Sequence, residues 1–197
     1  MVIGIDFDNT IVNYGSLFLE AAIELDLIPQ DFQGEKTSVR DYLRSHGFAD
    51  ADWQRVQAEV YGRRIAKAPP FEGVREFLEL CRSRDVRTFI VSHKSRYAPA
   101  DPRRIDLRDA ARAWLARCDV RVDDVYFESS RAEKLARIAT LGCAHFVDDL
   151  DEVFFEPNFP AGVERWLFAP GRSPISPFRA VQSWHDLAGE FFGLPAR

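Results

Sequence analysis

Apolar residues along this chain follow two different spacings, and the two spacings alternate. Residues 2–7 form a short, nearly continuous apolar run rich in β-branched side chains, which is typical of a strand buried on both faces of a parallel sheet. Similar runs predict further strands at 86–91, 125–127, 144–147 and 165–169. Between the runs, apolar residues repeat every three or four positions, which predicts helices. These helices are expected around 18–25, 39–43, 53–65, 74–81, 107–118, 135–139 and 184–192.

The alternation of strands and helices predicts an α/β fold with a Rossmann-like parallel sheet and helices on both faces. One segment departs from the alternation, because residues 14–69 show helical spacing and no strand. Pro69 and Pro70 end the last helix of that segment. We therefore expect a catalytic core formed by residues 1–13 and 70–197, with residues 14–69 as a small helical insertion after the first strand.

Composition narrows the classes of protein. The chain has 197 residues, which suits one domain of ordinary size, and its net charge of -5 argues against a nucleic-acid polymer as partner. No stretch approaches the roughly 20 apolar residues of a membrane span, so no membrane association is expected. Three widely spaced cysteines predict neither a disulfide framework nor a zinc site, and the N-terminus lacks a basic leader. We expect a cytoplasmic protein; the sequence allows a homo-oligomer but does not indicate one.

Two carboxylates follow the first strand directly. Asp6 and Asp8 flank Phe7, and Asn9 and Thr10, which favour turns, come next. A buried strand that ends in two negative charges needs something to compensate them, and a divalent cation is suited to that role. A carboxylate held beside a cation can also attack phosphorus. The alternative is a turn whose carboxylates are simply solvated.

Polar residues also mark three other places at strand ends or helix starts: Ser92, His93 and Lys94 after the second strand, Lys134 at the start of a helix, and Asp148–Asp149 after the fourth strand. In an open parallel sheet, the carboxyl ends of the strands lie along one crevice, so these residues can meet there. Each has an ordinary interpretation when taken alone. The serine could be a strand-end hydroxyl, the helix lysine could be solvated, and the aspartate pair could cap a helix.

Taken in order, these features resemble the haloacid dehalogenase-like (HAD) hydrolase superfamily. The resemblance covers four motifs, each in its expected context: a strand followed by DxDxT, a strand followed by Ser, an isolated Lys, and a strand followed by DD. It implies that Asp6 is a nucleophile that becomes an aspartyl-phosphate and that Asp8 is a general acid and base. Ser92 and Lys134 would bind the transferred phosphoryl group.

The resemblance also implies a Mg²⁺ cofactor. The ligands would be Asp6, the backbone carbonyl of Asp8 and the Asp148/Asp149 pair, with Asp149 favoured as the direct ligand of the two. Because dehalogenating and phosphonate-cleaving members lack an acid at the second aspartate, Asp8 points to phosphate esters. The helical insertion resembles a small cap, which implies a small, soluble phosphorylated substrate. Substrate contacts are expected from five residues near the motifs: Asn9, Thr10, His93, Lys94 and Arg96.

The sequence thus predicts a Mg²⁺-dependent phosphomonoesterase acting on a small phosphate ester. A phosphotransferase or phosphomutase would use the same aspartyl-phosphate, so it remains an alternative. A non-catalytic phosphate-binding or regulatory module is a second alternative. A receiver-like domain, however, carries its acceptor later in the chain and has no helical insertion after the first strand. The natural substrate is not indicated.

Overall fold

The computed structural model describes residues 1–99, 101–172 and 176–194. Within these ranges a single six-stranded sheet has the order β3-β2-β1-β4-β5-β6, and every neighbouring pair of strands is parallel. The strands are β1 Val2–Ile5, β2 Arg87–His93, β3 Asp124–Glu128, β4 His145–Asp148, β5 Glu164–Phe168 and β6 Arg179–Val181. The predicted fold class is therefore confirmed.

The strand β1 lies in the middle of the sheet. Ile5 pairs with Ile90 of β2 on one side and with Val147 of β4 on the other. All four residues of β1 are buried, as the continuous apolar run predicts for a strand covered on both faces. The ends of β2 and β4 are thereby brought to the same edge of the sheet as the end of β1.

Eight α-helices lie in the described ranges: α1 Leu17–Glu24, α2 Lys36–Ser45, α3 Asp50–Ala58, α4 Val74–Ser83, α5 Leu107–Arg117, α6 Arg131–Thr140, α7 Asp151–Phe154 and α8 Trp184–Phe192. The helix α8 begins where its sequence predicts, since the Ser183 hydroxyl accepts a hydrogen bond from the backbone N–H of Asp186. Over the described residues, every helix is too short or too polar to span a bilayer.

Helices cover both faces of the sheet. On one face, Leu135 and Ile138 of α6 join a buried cluster that contains Leu167 of β5. The next residue along β5, Phe168, points to the opposite face because side chains alternate along a strand. There its ring lies 5.5 Å from that of Trp184 in α8. The sheet is thus covered by helices on both faces, and polar side chains can cluster at the ends of its strands.

The chain divides into two compact units. The first is formed by Met1–Val12, Pro70–Lys94 and Cys118–Arg197, and it contains the sheet. The second is formed by Asn13–Pro69 and Ser95–Arg117, and its regular elements are helical. The insertion expected at 14–69 falls within the second unit. In this division Asn13 and the segment Ser95–Arg117, both expected in the core, also group with the helical unit.

The grouping of this segment has a physical cause within the helical unit. Trp114 of α5 is buried, and its indole N–H donates a hydrogen bond of 2.8 Å to the carbonyl of Ala68. Leu107 of α5 packs in a small buried cluster with Ala58 and Ala98. The apolar stripe of α5 was visible in the sequence, but the stripe alone does not say which surface covers it.

The last helix expected in the insertion is also less regular than its spacing suggests. Regular α-helix ends at Ala58, and the chain continues through a π-helical turn, Glu59–Arg63, and a 3₁₀ turn, Arg64–Lys67. A 3₁₀ turn is frequent at the end of an α-helix, whereas a π-helical turn is rare and widens the helix locally. The two prolines that follow, Pro69 and Pro70, leave no room for the helix to continue.

Two elements were not predicted from the apolar pattern. The edge strand β6 has three residues, of which Arg179 and Ala180 are exposed, so it has no apolar run to reveal it. The helix α7 is a single turn of four residues, too short to display a helical repeat. Both are held by their neighbours, since Val181 pairs with Phe168 and Phe154 lies in the core cluster.

Gly4 lies in β1 where the sheet is most tightly covered. A Cβ atom there would lie 2.6 Å from the Phe146 ring and 3.0 Å from the Cys143 sulfur. We expect Gly4→Ala to lower the free energy of unfolding in urea by about 1–3 kcal/mol, because overpacking forces neighbouring atoms to move. The control is Gly62→Ala, whose new methyl group would meet Ile105 at an ordinary 3.4 Å. Equal stabilities for the two variants would contradict this prediction.

Candidate active site

The site begins where β1 ends. The backbone N–H of Asp6 donates a 2.8 Å hydrogen bond to the carbonyl of Val147, so the aspartate continues the pairing of β1 with β4. The chain then turns sharply: Asn9 has a φ of +59°, and the carbonyl of Phe7 accepts hydrogen bonds from two residues beyond the turn. Asparagine tolerates this left-handed conformation better than most residues. The turn therefore presents both Asp6 and Asp8 at the carboxyl edge of the sheet.

Lys134 joins two strand ends. Its ammonium lies 2.6 Å from Asp6 Oδ1 and 2.6 Å from Asp148 Oδ2, and all three side chains are buried. The first turn of α6 holds the lysine in place, since the Ser130 hydroxyl caps the helix by accepting from the N–H of Glu133. A serine followed three residues later by a glutamate, here Ser130 and Glu133, is a sequence pattern typical of a helix start. One side chain thus links α6 with the ends of β1 and β4.

The charges of this triad are mutually dependent. Burial disfavours the charged form of Lys134, but Asp148 and Asp6 outweigh that effect and raise the pKa of the lysine above its ordinary value. Burial, together with a smaller effect of the Asp6 carboxylate, raises the pKa of Asp148 to about 6 against the opposing effect of Lys134. One ammonium therefore does not fully offset two buried carboxylates.

A third carboxylate lies beside the two that Lys134 contacts. Oxygen atoms of Asp6, Asp148 and Asp149 all lie within 4.8 Å of one another. Clustered carboxylate oxygens suit Mg²⁺, which prefers oxygen ligands and keeps several waters. The residues present fit such an ion, since three carboxylates lie together and a single ammonium contacts two of them.

The alternative interpretation of the aspartate pair, a helix cap, is partly realised. The residue before α7 is Leu150, not an aspartate. Asp148 Oδ1 nevertheless accepts a 3.0 Å hydrogen bond from the N–H of Leu150, while its other oxygen contacts Lys134. The same carboxylate therefore both orders the chain that leads into α7 and belongs to the charged cluster.

Lys94 has a partner that sequence reasoning did not assign. Its ammonium contacts both carboxylate oxygens of Asp8, at 2.9 and 2.7 Å, and the lysine is buried. The sequence suggested Lys94 as a substrate contact. The position of Lys94 could have indicated this pair. The lysine lies two residues after Ser92, at the end of β2, which pairs with β1.

Two hydroxyl residues of the motifs are buried near the same strand ends. Ser92 lies in β2 two residues past Ile90, which pairs with Ile5 of β1, so it reaches the edge where Asp6 lies. Thr10 is fully buried, and its hydroxyl has no hydrogen-bond partner among the described residues. Its carbonyl accepts a 3.1 Å hydrogen bond from the Trp184 indole, which anchors the turn to α8.

The remaining expected substrate contacts differ in their surroundings. His93 is exposed at the end of β2, and Asn9 is half-buried in the turn. Arg96 belongs to the helical unit, where its guanidinium is exposed and pairs with Asp106 at 2.7 Å. Their roles toward a substrate stay predictions.

No family model and no curated protein matches this sequence. Solved structures do match it over nearly its whole length. A candidate β-phosphoglucomutase from Thermotoga maritima has a TM-score of 0.64 and 15% identity, covering 97% of this chain and 99% of that one. A candidate phosphoglycolate phosphatase from Lactobacillus delbrueckii subsp. bulgaricus has a TM-score of 0.62 and 15% identity, covering 98% of both chains.

A third neighbour is a candidate HAD hydrolase from Bacillus subtilis bound to magnesium. Its TM-score is 0.60 at 12% identity, and the match covers 97% of this chain and 98% of that one. At such low identities the likeness concerns the fold. The chain therefore has the fold of HAD-superfamily structures, and the structural part of the resemblance seen in its motifs is confirmed.

The Asp148 carboxyl would make cation binding at this cluster sensitive to pH. We expect MgCl₂ to raise the Tm of the wild-type protein at mildly alkaline pH, and to raise it less as the pH falls through about 6, because protonation of Asp148 removes negative charge from the carboxylate cluster. Differential scanning fluorimetry across a pH series measures this effect. Asp148→Asn should abolish the Mg²⁺-dependent rise, whereas Glu152→Gln, on the exposed surface of α7, should keep it.

The same group affects the metal-free protein in the opposite sense. Because the folded pKa of Asp148 lies above the unfolded value of about 3.9, its contribution to stability is present below that value and is lost as the pH rises through about 6. Asp148→Asn should flatten this part of the stability profile. A Mg²⁺-dependent Tm rise that persists in Asp148→Asn would exclude Asp148 as a ligand.

Proposed function

We propose that this protein is a Mg²⁺-dependent phosphomonoesterase that acts on a small, soluble phosphorylated metabolite through an aspartyl-phosphate. The observation that carries the proposal is the contact of Lys134 with both Asp6 and Asp148, next to the Asp149 carboxylate, at the carboxyl edge of a parallel sheet. In open α/β sheets ligands bind at that edge. The fold of the HAD-superfamily neighbours supports the same assignment.

In this proposal Asp6 attacks the phosphorus of the ester, and the bond from phosphorus to the leaving oxygen breaks. Asp8 gives its proton to the leaving oxygen, so that the product departs as a neutral alcohol. Asp8 then takes a proton from the water that attacks the aspartyl-phosphate, which releases inorganic phosphate and restores Asp6. Only Phe7 separates Asp6 from Asp8 in the sequence, so both carboxylates can face the same phosphoryl group.

Lys134 and Ser92 would bind the phosphoryl group during transfer. The buried ammonium of Lys134 already neutralises part of the charge of Asp6, and it can turn toward the phosphoryl oxygens as the carboxylate becomes phosphorylated. The buried Ser92 hydroxyl can donate one hydrogen bond to the same oxygens. Both groups act in a site with little water, where electrostatic interactions are strong.

Asp6, the backbone carbonyl of Asp8, Asp148 and Asp149 would hold the metal ion. When bound, Mg²⁺ supplies positive charge that lets an anionic ester approach a cluster of carboxylates. The magnesium in the Bacillus subtilis neighbour agrees with this choice of ion. We propose a cytoplasmic site of action, where the three cysteines, which are free in the structure, stay reduced.

A phosphomutase or phosphotransferase is the second candidate, and the Thermotoga maritima neighbour favours it. Such an enzyme would use Asp6 and Asp8 in the same way but transfer the phosphoryl group to an alcohol. Product analysis with an added sugar acceptor separates the two, since transfer gives a new phosphate ester and hydrolysis gives inorganic phosphate. A regulatory module without turnover would yield neither product.

The two N-terminal aspartates are expected to behave differently. With p-nitrophenyl phosphate and Mg²⁺, Asp6→Asn should abolish turnover and prevent binding of beryllium fluoride, a mimic of the aspartyl-phosphate. Asp8→Asn should lower turnover by about 10²–10⁴-fold while leaving beryllium fluoride binding intact. Phosphate release and ¹⁹F NMR measure the two effects. The wild-type protein treated with EDTA should be inactive, and near-normal turnover by Asp6→Asn would refute the mechanism.

We also propose that the helical unit controls which esters reach the site. Its first segment leaves the core directly after Val12 and returns at Pro70, and Val12 pairs with Pro70, so both ends of that segment adjoin the turn that follows Asp8. Elements tethered in this way can exclude water and large substrates. The Bacillus subtilis neighbour is described as revealing interdomain movement.

The test replaces residues 16–66 with a flexible linker. Because α5 packs on this segment, the truncation should also carry Leu107→Gln and Trp114→Gln, which make the uncovered face polar. We expect the selectivity between small and bulky phosphate esters to fall by about tenfold or more, with activity on p-nitrophenyl phosphate retained. The full-length chain with the same two substitutions is the control. An unchanged ratio of kcat/KM values in a folded truncation would leave the unit with a packing role.

A further inference from the structure

Within the described residues, two lysines are buried, and both lie at the candidate site. Lysine is almost never fully buried without a partner, because removing an ammonium from water is costly. Lys134 belongs to the four motifs. Lys94 does not, yet it is buried to the same degree and its ammonium contacts both oxygens of Asp8. A second buried lysine at this edge needs a reason of its own.

Lys94 is held on three sides. Its backbone N–H donates a 2.9 Å hydrogen bond to the carbonyl of Glu128, which extends the pairing of β2 with β3. Its ammonium lies 5.2 Å from the centre of the Phe7 ring, and that ring packs edge-on against Phe127. The Lys94 side chain is thus confined between the end of β2, the ring of Phe7 and the carboxylate of Asp8. Its ammonium cannot leave Asp8 without giving up a desolvated contact.

The pair restricts the orientation of the Asp8 carboxylate. Two charge-assisted contacts, of 2.9 and 2.7 Å, tie this carboxylate to the end of β2, so the side chain cannot swing out of the site without losing both. Asp8 lies beside a turn with a left-handed residue, Asn9, and its side chain is partly exposed. General acid and base catalysis depends on such orientation, and small misplacements lower rates strongly.

We propose that Lys94 is a positioning residue that orients Asp8 for proton transfer to and from the leaving oxygen. The inference rests on the proposed phosphatase function. When Asp8 carries its proton, one of its oxygens still accepts a hydrogen bond from Lys94 and the other presents the proton to the ester oxygen. Lys94 acts through Asp8, while Lys134 serves the phosphoryl group and Asp6.

The proposal makes a distinction among substrates. Phenyl phosphate has a poor leaving group that needs a proton, whereas p-nitrophenyl phosphate has a good one that needs little help. Loss of orientation at Asp8 should therefore slow the first ester much more than the second. The value of kcat/KM is the appropriate measure, since it reports the steps up to formation of the aspartyl-phosphate and not its hydrolysis.

The experiment compares Lys94→Met with the wild-type protein. We expect the variant to lose about tenfold more kcat/KM on phenyl phosphate than on p-nitrophenyl phosphate. The inhibition constant of inorganic phosphate should not change, and Lys94→Arg should restore part of the loss. Lys67→Met, at an exposed lysine of the helical unit, is the matched control and should resemble the wild-type protein. Lys94→Gln provides a second variant if Lys94→Met does not fold.

A double variant tests whether Lys94 acts through Asp8. In the Asp8→Asn background, adding Lys94→Met should change kcat/KM by less than about twofold, because the group that the lysine orients is already lost. Equal losses on the two esters, a weaker affinity for inorganic phosphate, or a full additional loss in the double variant would each overturn the proposal. If the wild-type protein hydrolyses neither ester, or Asp8→Asn has no effect, the proposed function itself fails.

Discussion

The contact of one buried ammonium with two buried carboxylates is the interaction on which the rest of this structure depends. Lys134, Asp6 and Asp148 come from three different elements, and none of them could be buried without the others. The order of the sheet places β1 beside β4, and the cap at Ser130 starts α6 at the right residue. Packing on both faces of the sheet then keeps water from replacing these contacts. The charged cluster can therefore form only when the sheet and α6 are in place.

Much of this arrangement could be predicted from the sequence, since it follows from two simple regularities. A continuous apolar run followed by a carboxylate identifies a buried strand and its functional end, and β1 and β4 both obey this rule. The parallel arrangement then brings Asp6 and Asp148 to the same edge without any knowledge of the intervening chain. Lys134 was recognised by its place in the order of motifs, since a lysine in the first turn of a helix has no pattern of its own.

What could not be predicted depends on contacts between distant segments. The stripe of α5 marks a buried face, but nothing in residues 107–117 says that Ala68 will accept the hydrogen bond of Trp114. The edge strand β6 has too few apolar residues to be recognised in the sequence. Its position and register come from its pairing with β5. The pairing of Lys94 with Asp8 likewise arises only when β2 lies beside β1. The apolar pattern of a segment predicts whether it forms a helix or a strand. Which other segment it contacts is decided only in the folded structure.

The position of β1 in the middle of the sheet affects how the chain is made. During synthesis β1 leaves the ribosome before either of its partners, yet Val2 pairs with Arg87 and Ile5 with Val147. This apolar strand therefore has both edges open until β2 is made and one edge open until β4 is made, which favours slow folding and unwanted association. Nascent chains that stall before β4 would expose one edge of β1 permanently. The central strand that organises the finished site thus also leaves an unpaired edge, open to other chains, for as long as the protein is incomplete.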